Sequence, residues 1–274
     1  TLSKGERVML KHSIEKLLRR ENLNSSEIKL AVSEMLEQKN EVQFSAFLSL
    51  LRAKGETADE IYSLVETMRR LMNPCPVPFP VLDIVGTGGD GANTINISTG
   101  SALLAAACGV KIAKHGNRSV SSLSGSADVL EVLGVNIHHS PETISENISN
   151  NNFGFLYAPN YHPVLNRLKS MRKKLALPTI FNLIGPLLNP ANAEYLMIGV
   201  ADKTFMSTLS TVLIKLGIKR AFVFHCAGLD EICCLDVIDM IEIDSETVSY
   251  SQLDPRTYGF QLCSLEDLRG GTAA

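Results

Sequence analysis

The sequence predicts an α/β protein: a small α-helical N-terminal domain, then a large α/β domain around a mostly parallel sheet. Three observations carry this. Residues 3–72 have helical periodicity, residues 73–80 hold four prolines, and short apolar runs alternate with helical segments after that. In the first part Leu30, Val32, Met35 and Leu36, then Phe44, Phe47, Leu48 and Leu51, recur at helical spacing. Ser25 and Ser26 offer an N-cap before Glu27, and Gly55 closes the helix running through Arg52. Thr57 with Glu60 reads as a capping box opening a helix to about Leu71. The proline-rich segment 73–80 is stiff and extended, which makes it the expected hinge between residues 1–72 and 81–274.

Beyond it, strands are expected at 81–85, 110–113, 153–158, 195–200, 221–226 and 240–243, and helices at 100–108, 127–133 and 205–216. Strands alternating with helices imply a parallel sheet covered on both faces. Residues 160–190 break the alternation with a basic helix carrying Arg167, Lys169, Arg172, Lys173 and Lys174. This stretch is expected to return to the N-terminal helices.

Composition excludes several classes. A net charge of −3 argues against binding through bulk positive charge, so nucleic acid is not an expected partner. No apolar run approaches the roughly 18 residues that span a bilayer, so neither is a membrane. The six cysteines have no metal-ligand spacing and read as thiols of a reducing cytoplasm.

Chemistry concentrates at 83–99. A strand runs into Gly86-Thr-Gly-Gly-Asp-Gly91 and then into small hydroxyl and amide side chains. Glycines let backbone N–H groups turn onto a ligand, and phosphate before a helix is the usual one. Gly86, Gly88 and Gly91 also fit a dinucleotide fingerprint, but that motif wants an acid about 20 residues on, and positions 92–127 contain none. The Gly-Lys-Ser/Thr of a P-loop is absent too. A second segment, Lys114-His-Gly-Asn-Arg118 with Ser119, Ser121 and Ser122, reads as a basic turn after a strand. With no acid nearby in sequence, its field is expected to be open to an anion.

These motifs, together with Gly125-Ser-Ala-Asp-Val-Leu-Glu131 and Phe181-Asn-Leu-Ile-Gly-Pro-Leu187, resemble the anthranilate phosphoribosyltransferase family. The resemblance runs along essentially the whole chain, including Lys54-Gly-Glu-Thr57. It implies a nucleoside-phosphorylase-like fold, a homodimer formed through the helical domain, and a cytoplasmic enzyme of tryptophan biosynthesis. The implied reaction moves the phosphoribosyl group of phosphoribosyl pyrophosphate (PRPP) to the amine of anthranilate, with Mg2+ as cofactor. By the family pattern Gly86, Gly89, Asp90, Thr94, Asn96, Ile97, Ser98 and Thr99 would hold PRPP. Lys114, His115, Gly116, Asn117, Arg118, Ser119, Val120, Ser121, Ser122 and Ser126 would line its phosphates. Ser98, Asp230 and Glu231 would bind the metal. Anthranilate would meet Gly86, Asn117, His162, Arg172 and Pro186. No covalent nucleophile or acid–base residue is implied. The alternatives are a non-catalytic PRPP-binding relative and a pyrimidine nucleoside phosphorylase-like enzyme.

The sequence departs from the family in three places. Ala176 stands where the family has glycine, and Pro178 where it has arginine. Ile232, Cys233 and Cys234 make the surroundings of the acidic pair more apolar. Family sequences also continue well past the position of Ala274, so a truncated C-terminus is expected.

Overall fold

The computed structural model describes residues 7–36, 41–119 and 123–273. The chain divides into two compact units. One holds the residues up to Met72 together with His162–Leu188; the other holds Asn73–Tyr161 and the residues from Asn189 on.

The first unit is helical: α1 (Arg7–Leu18), α2 (Ser25–Leu36), α3 (Glu41–Lys54) and α4 (Ala58–Leu71), joined by the later α9 (Pro163–Leu175) and α10 (Ile180–Ile184). Its core is apolar and fully buried, with Ile28, Val32, Phe47, Leu51, Ile61 and Val65 among its members. The capping box at α4 is present: the Glu60 N–H donates to Thr57 Oγ1 at 3.2 Å, and the Thr57 N–H donates to Glu60 Oε2 at 2.8 Å. Glu60 is fully buried and also accepts the Leu23 N–H and the Lys54 ammonium, at 2.8 and 2.9 Å. The expected N-cap at Ser25 and Ser26 is corrected to Asn24. Both serines lie inside the first turn of α2, while Asn24 Oδ1 accepts the Glu27 N–H and Glu27 returns the bond to the Asn24 N–H. An Asx side chain makes this reciprocal cap as well as a hydroxyl does.

The second unit holds β1 (Leu82–Gly86), α5 (Ile97–Ala107), β2 (Ile112–Gly116), α6 (Ser126–Val132), α7 (Pro141–Asn151), β3 (Phe153–Tyr157), α8 (Ala158–Tyr161), β4 (Tyr195–Gly199), α11 (Met206–Lys215), β5 (Arg220–His225), β6 (Ile238–Asp244) and β7 (Thr247–Leu253). The sheet order is β3-β2-β1-β4-β5-β6-β7. The first five are parallel; β6 and β7 are antiparallel. Helix α5 packs Ala102 and Ala106 on Ile84 and Ile112, and α6 packs Ala127 and Leu130 on Phe155. Helix α7 covers the other face, because a Cβ on Gly154 would meet Ile144 and Ile148.

The structure moves two boundaries that matter for function. The strand expected at 110–113 runs from Ile112 to Gly116, so Lys114 and His115 lie inside the sheet and are buried. The sheet also ends in a hairpin, β6–β7, where only 240–243 was expected as strand. The exposed, largely polar Thr247–Leu253 carries little apolar signal.

A buried polar network ties the middle of the sheet. Asp83 on β1 is fully buried; its Oδ1 accepts the His115 N–H at 3.1 Å and its Oδ2 accepts Asn189 Nδ2 at 2.7 Å. Asn189 also donates to the Ala113 carbonyl at 2.7 Å and accepts the Ala191 N–H at 2.8 Å. Burial pushes the Asp83 carboxyl up to about 6, opposed by Lys114 and these hydrogen bonds. Replacing Asn189 with Ala strips donors from a buried carboxylate and a buried carbonyl. Asn189→Ala is expected to cost roughly 2–4 kcal/mol in urea unfolding.

Helix α9 ends on Ala176 in the left-handed region, φ 51°, where glycine is the favoured residue. Ala176→Gly relieves that strain and is expected to stabilise the protein by about 0.5–1 kcal/mol in the same measurement.

Candidate functional site

The site forms where the parallel strands end. After β1 the chain turns through Gly88, Gly89 and Gly91, all at positive φ, and enters α5 behind Asn96. The Asp90 carboxylate accepts the Ala92 N–H at 3.1 Å and so caps the turn. Gly88, Gly89 and Gly91 are exposed, Asp90 and Thr94 half-buried. Asn96 Nδ2 reaches the Ser124 carbonyl at 3.4 Å, and Thr99 donates to Ser126 Oγ at 2.9 Å. These bonds tie the glycine loop to the segment after β2.

That segment is ordered by an acid outside the expected site. Asp128 Oδ2 accepts the Ser119 and Gly125 N–H groups at 3.1 and 2.8 Å, and its Oδ1 accepts Arg118 Nη1 at 3.0 Å. Glu131 pairs with Arg118 at 2.5 Å. The expectation of an uncompensated basic field is therefore corrected. Lys114 faces Asp83 and Glu231, and Arg118 faces Asp128 and Glu131, because the fold supplies acids distant in sequence or just beyond the acid-free stretch. Asn117 is exposed and Gly116 half-buried. Val120, Ser121 and Ser122 lie outside the described residues.

Lys114 is 1% exposed. Its Nζ donates to the Ile84 carbonyl at 2.7 Å and to Ser98 Oγ at 3.4 Å. Burial lowers its pKa, opposed by Asp83 and Glu231.

The acidic pair reaches the same place from the loop after β5. A Cβ on Gly86 would run into the Asp230 carboxylate, and one on Gly199 into the Asp230 carbonyl. Two glycines at the ends of neighbouring strands thus make the space that Asp230 fills. Its Oδ2 accepts the Gly88 N–H at 2.7 Å. Burial pushes Asp230 up to about 6, with Asp90 adding to the rise. Burial and the facing Asp230 push Glu231 up to about 8, with Lys114 and the Ser98 N–H at the start of α5 working against them.

The crowded carboxylates of Asp90, Asp230 and Glu231, with the Ser98 hydroxyl, offer the oxygen donors that suit a hard cation. Among the described residues no three metal-ligating side chains converge as a complete cage. Magnesium needs none, since it combines one or two carboxylates with substrate phosphates.

In the helical unit, His162 and Pro186 are buried and Arg172 is half-buried. The Arg172 guanidinium lies 5.4 Å from the Phe181 ring centroid, and among the described residues no carboxylate pairs with it. Burial lowers its pKa, so an anion arriving there would be favoured. Burial also drives His162 down to about 4. Sequence reasoning missed Asp83, Asp128, Asn189 and Gly199. For Gly199 a signal existed, a glycine ending an apolar strand, and half-buried Asp128 stood inside the Gly125–Glu131 motif; buried Asp83 and Asn189 gave none.

Residues 79–274 match the α/β domain of a glycosyl transferase family, and 11–72 match that family's helical bundle domain. Fold and site thus define a two-part glycosyl transferase. The chain is 45% identical over 266 residues to anthranilate phosphoribosyltransferase of Chlamydia caviae, covering 97% of this chain and 78% of that protein. The Saccharomyces cerevisiae anthranilate phosphoribosyltransferase in complex with PRPP and Mg superposes with a TM-score of 0.89 at 29% identity, over 97% of this chain and 78% of that one. The same yeast enzyme with 4-fluoroanthranilate gives 0.86 at 29%, over 97% and 77%. The chain belongs to the anthranilate phosphoribosyltransferase family.

Gly199→Ala drives a methyl group into the Asp230 backbone. It is expected to destabilise the second unit by about 1–3 kcal/mol in urea unfolding. His162 supplies a pH test. Its folded pKa of about 4 lies below its ordinary 6.5, so the unfolded chain takes up the proton first. The resulting stability is complete above pH 6.5 and is lost as pH falls toward 4. Unfolding free energies should show His162→Asn losing up to about 3 kcal/mol less than wild type across that window.

Proposed function

We propose that this chain transfers the phosphoribosyl group of PRPP to the amine of anthranilate, giving N-(5-phosphoribosyl)anthranilate and pyrophosphate. The observation that carries this is the meeting of the glycine loop, Lys114 and the Asp230 and Glu231 carboxylates at one end of the parallel sheet. Ligands of open α/β sheets bind beyond the carboxyl ends of the strands.

In this reading the glycine loop beyond Gly88, with the hydroxyls of Ser98, Thr99 and Ser126, holds the phosphates. Asp230, Glu231 and Ser98 would hold Mg2+, which would supply positive charge to offset the developing pyrophosphate. Asp230, wedged against Gly86 and Gly199, keeps the oxygen donors in place before substrate arrives. Lys114 balances the acids and holds Ile84 and Ser98 in register. The ribosyl carbon gains positive charge as its bond to pyrophosphate breaks, so positioning and electrostatics do the work that a covalent nucleophile does elsewhere.

Arg172 supplies the charge complementary to the carboxylate of anthranilate, and buried Pro186 an apolar surface. His162, neutral at pH 7, is suited to contact with an aromatic ring. The working form in this reading is a homodimer formed through helical units, which sedimentation equilibrium tests.

Anthranilate fluorescence gives the direct test. Adding PRPP with Mg2+ should quench it, and chelation should stop the loss; folded protein showing no quenching would refute the proposal. Arg172→Ala should raise KM for anthranilate about tenfold or more while leaving KM for PRPP within about twofold, since a charge-assisted bond contributes on the order of 1.5–3 kcal/mol.

A further inference from the structure

Four of the six cysteines gather around the acidic loop, though they lie apart in sequence. Cys226 directly follows β5, Cys233 and Cys234 come just after Glu231, and the Cys263 N–H donates to the Cys234 carbonyl at 2.8 Å. Cys226 and Cys233 are the inner pair, 0% and 6% exposed, with their Sγ atoms 3.5 Å apart. Cys234 and Cys263 are half-buried. No metal-ligating group of three forms here among the described residues, so a bound metal does not account for the cluster.

The segment between the inner thiols is the acidic loop itself. The Cys226 N–H donates to the Leu229 carbonyl at 3.2 Å and the Leu229 N–H returns to Cys226 at 2.8 Å. Cys226 therefore opens a tight turn that continues directly into Asp230 and Glu231, and Cys233 follows two residues after them. They pack with Phe224, Leu229 and Ile238, and Ala92 and Ile97 of the glycine-loop region lie against that cluster.

We propose that Cys226 and Cys233 are a reversible disulfide site whose oxidation shifts Asp230 and Glu231 and lowers catalysis. The oxidant class that fits so buried a pair is a small hydroperoxide, hydrogen peroxide being water-like in size. One thiol attacks a peroxide oxygen, the O–O bond breaks, and a sulfenic acid and water form. The second thiol then attacks the sulfenic sulfur, and its proton leaves with the hydroxyl as a second water. Two thiols lose two electrons and one peroxide gains them; a dithiol reverses the bond by exchange.

An S–S bond of about 2 Å draws the sulfurs together by about 1.5 Å from their present contact. Asp230 has no slack to absorb this, since it fills the space left by Gly86 and Gly199 and is bonded to the Gly88 N–H. A misplacement on the order of 1 Å in a catalytic constellation costs up to about 100-fold in rate. The catalytic part of this proposal rests on the function proposed above.

The test treats the reduced full chain with hydrogen peroxide, alkylates free thiols and maps the peptides. A Cys226–Cys233 cross-link reversed by dithiothreitol is expected, with transfer slowed roughly 10–100-fold. Cys226→Ser, or Cys233→Ala if that variant fails to fold, should keep its rate under peroxide. Cys234→Ser and Cys263→Ser should still form the link. A folded protein with no such link, with Cys226 or Cys233 joined to a different thiol, or with the link and an unchanged rate, overturns the proposal. Should the reduced chain show no transfer at all, the function proposed above fails by itself. The switch is then judged by thermal stabilisation with Mg2+ alone, expected in the reduced chain and lost on oxidation; equal stabilisation in both forms overturns it.

Discussion

The sheet is organised around charge that cannot reach water. Asp83 on β1 and Lys114 on β2 are both buried, and neither is tolerable alone in that setting. Each is held by neighbours that must be in register: Asn189 and the His115 N–H for the carboxylate, the Ile84 carbonyl and Ser98 for the ammonium. Satisfying them requires β1, β2, the start of α5 and the chain at Asn189 to meet in one arrangement. That requirement links the fold to the site, because Ser98 opens the helix behind the glycine loop.

Shape supplies the second constraint. Gly86 and Gly199 end neighbouring parallel strands, and Asp230 occupies the volume their missing side chains leave. A carboxylate lodged there loses solvent and lies beside Asp90 and Glu231, which makes full ionisation of the group unfavourable in isolation. Such a cluster is prepared for a cation carried with an anionic substrate. The same economy places two thiols under the loop, so that packing and chemistry share a few residues.

The helical unit also rests on a buried acid. Glu60 caps α4 and joins it to Leu23 and to Lys54, so a local capping signal becomes a tertiary anchor. Ala176 shows the reverse: the chain needs a left-handed residue to end α9, and the sequence supplies one that resists it. Arg172, on the same helix, keeps its guanidinium over Phe181 without an acidic partner among the described residues.

Local signals determined a good deal of this protein in advance. The capping box at Thr57, the alternation of strands and helices, the glycine turn before α5, and the motifs that place the chain in its family are all short-range patterns, set by backbone geometry and side-chain periodicity. Tertiary structure alone decided the electrostatics. Asp83, Asp128, Glu131 and Glu231 compensate Lys114 and Arg118 only after folding, so a segment that looked like an open basic field became a balanced network. It also decided that Lys114 and His115 belong to a buried strand and that an apparently polar tail closes the sheet as a hairpin. Burial and charge pairing depend on which segments meet in space, and contacts over 10 to 142 residues leave little mark in a local pattern.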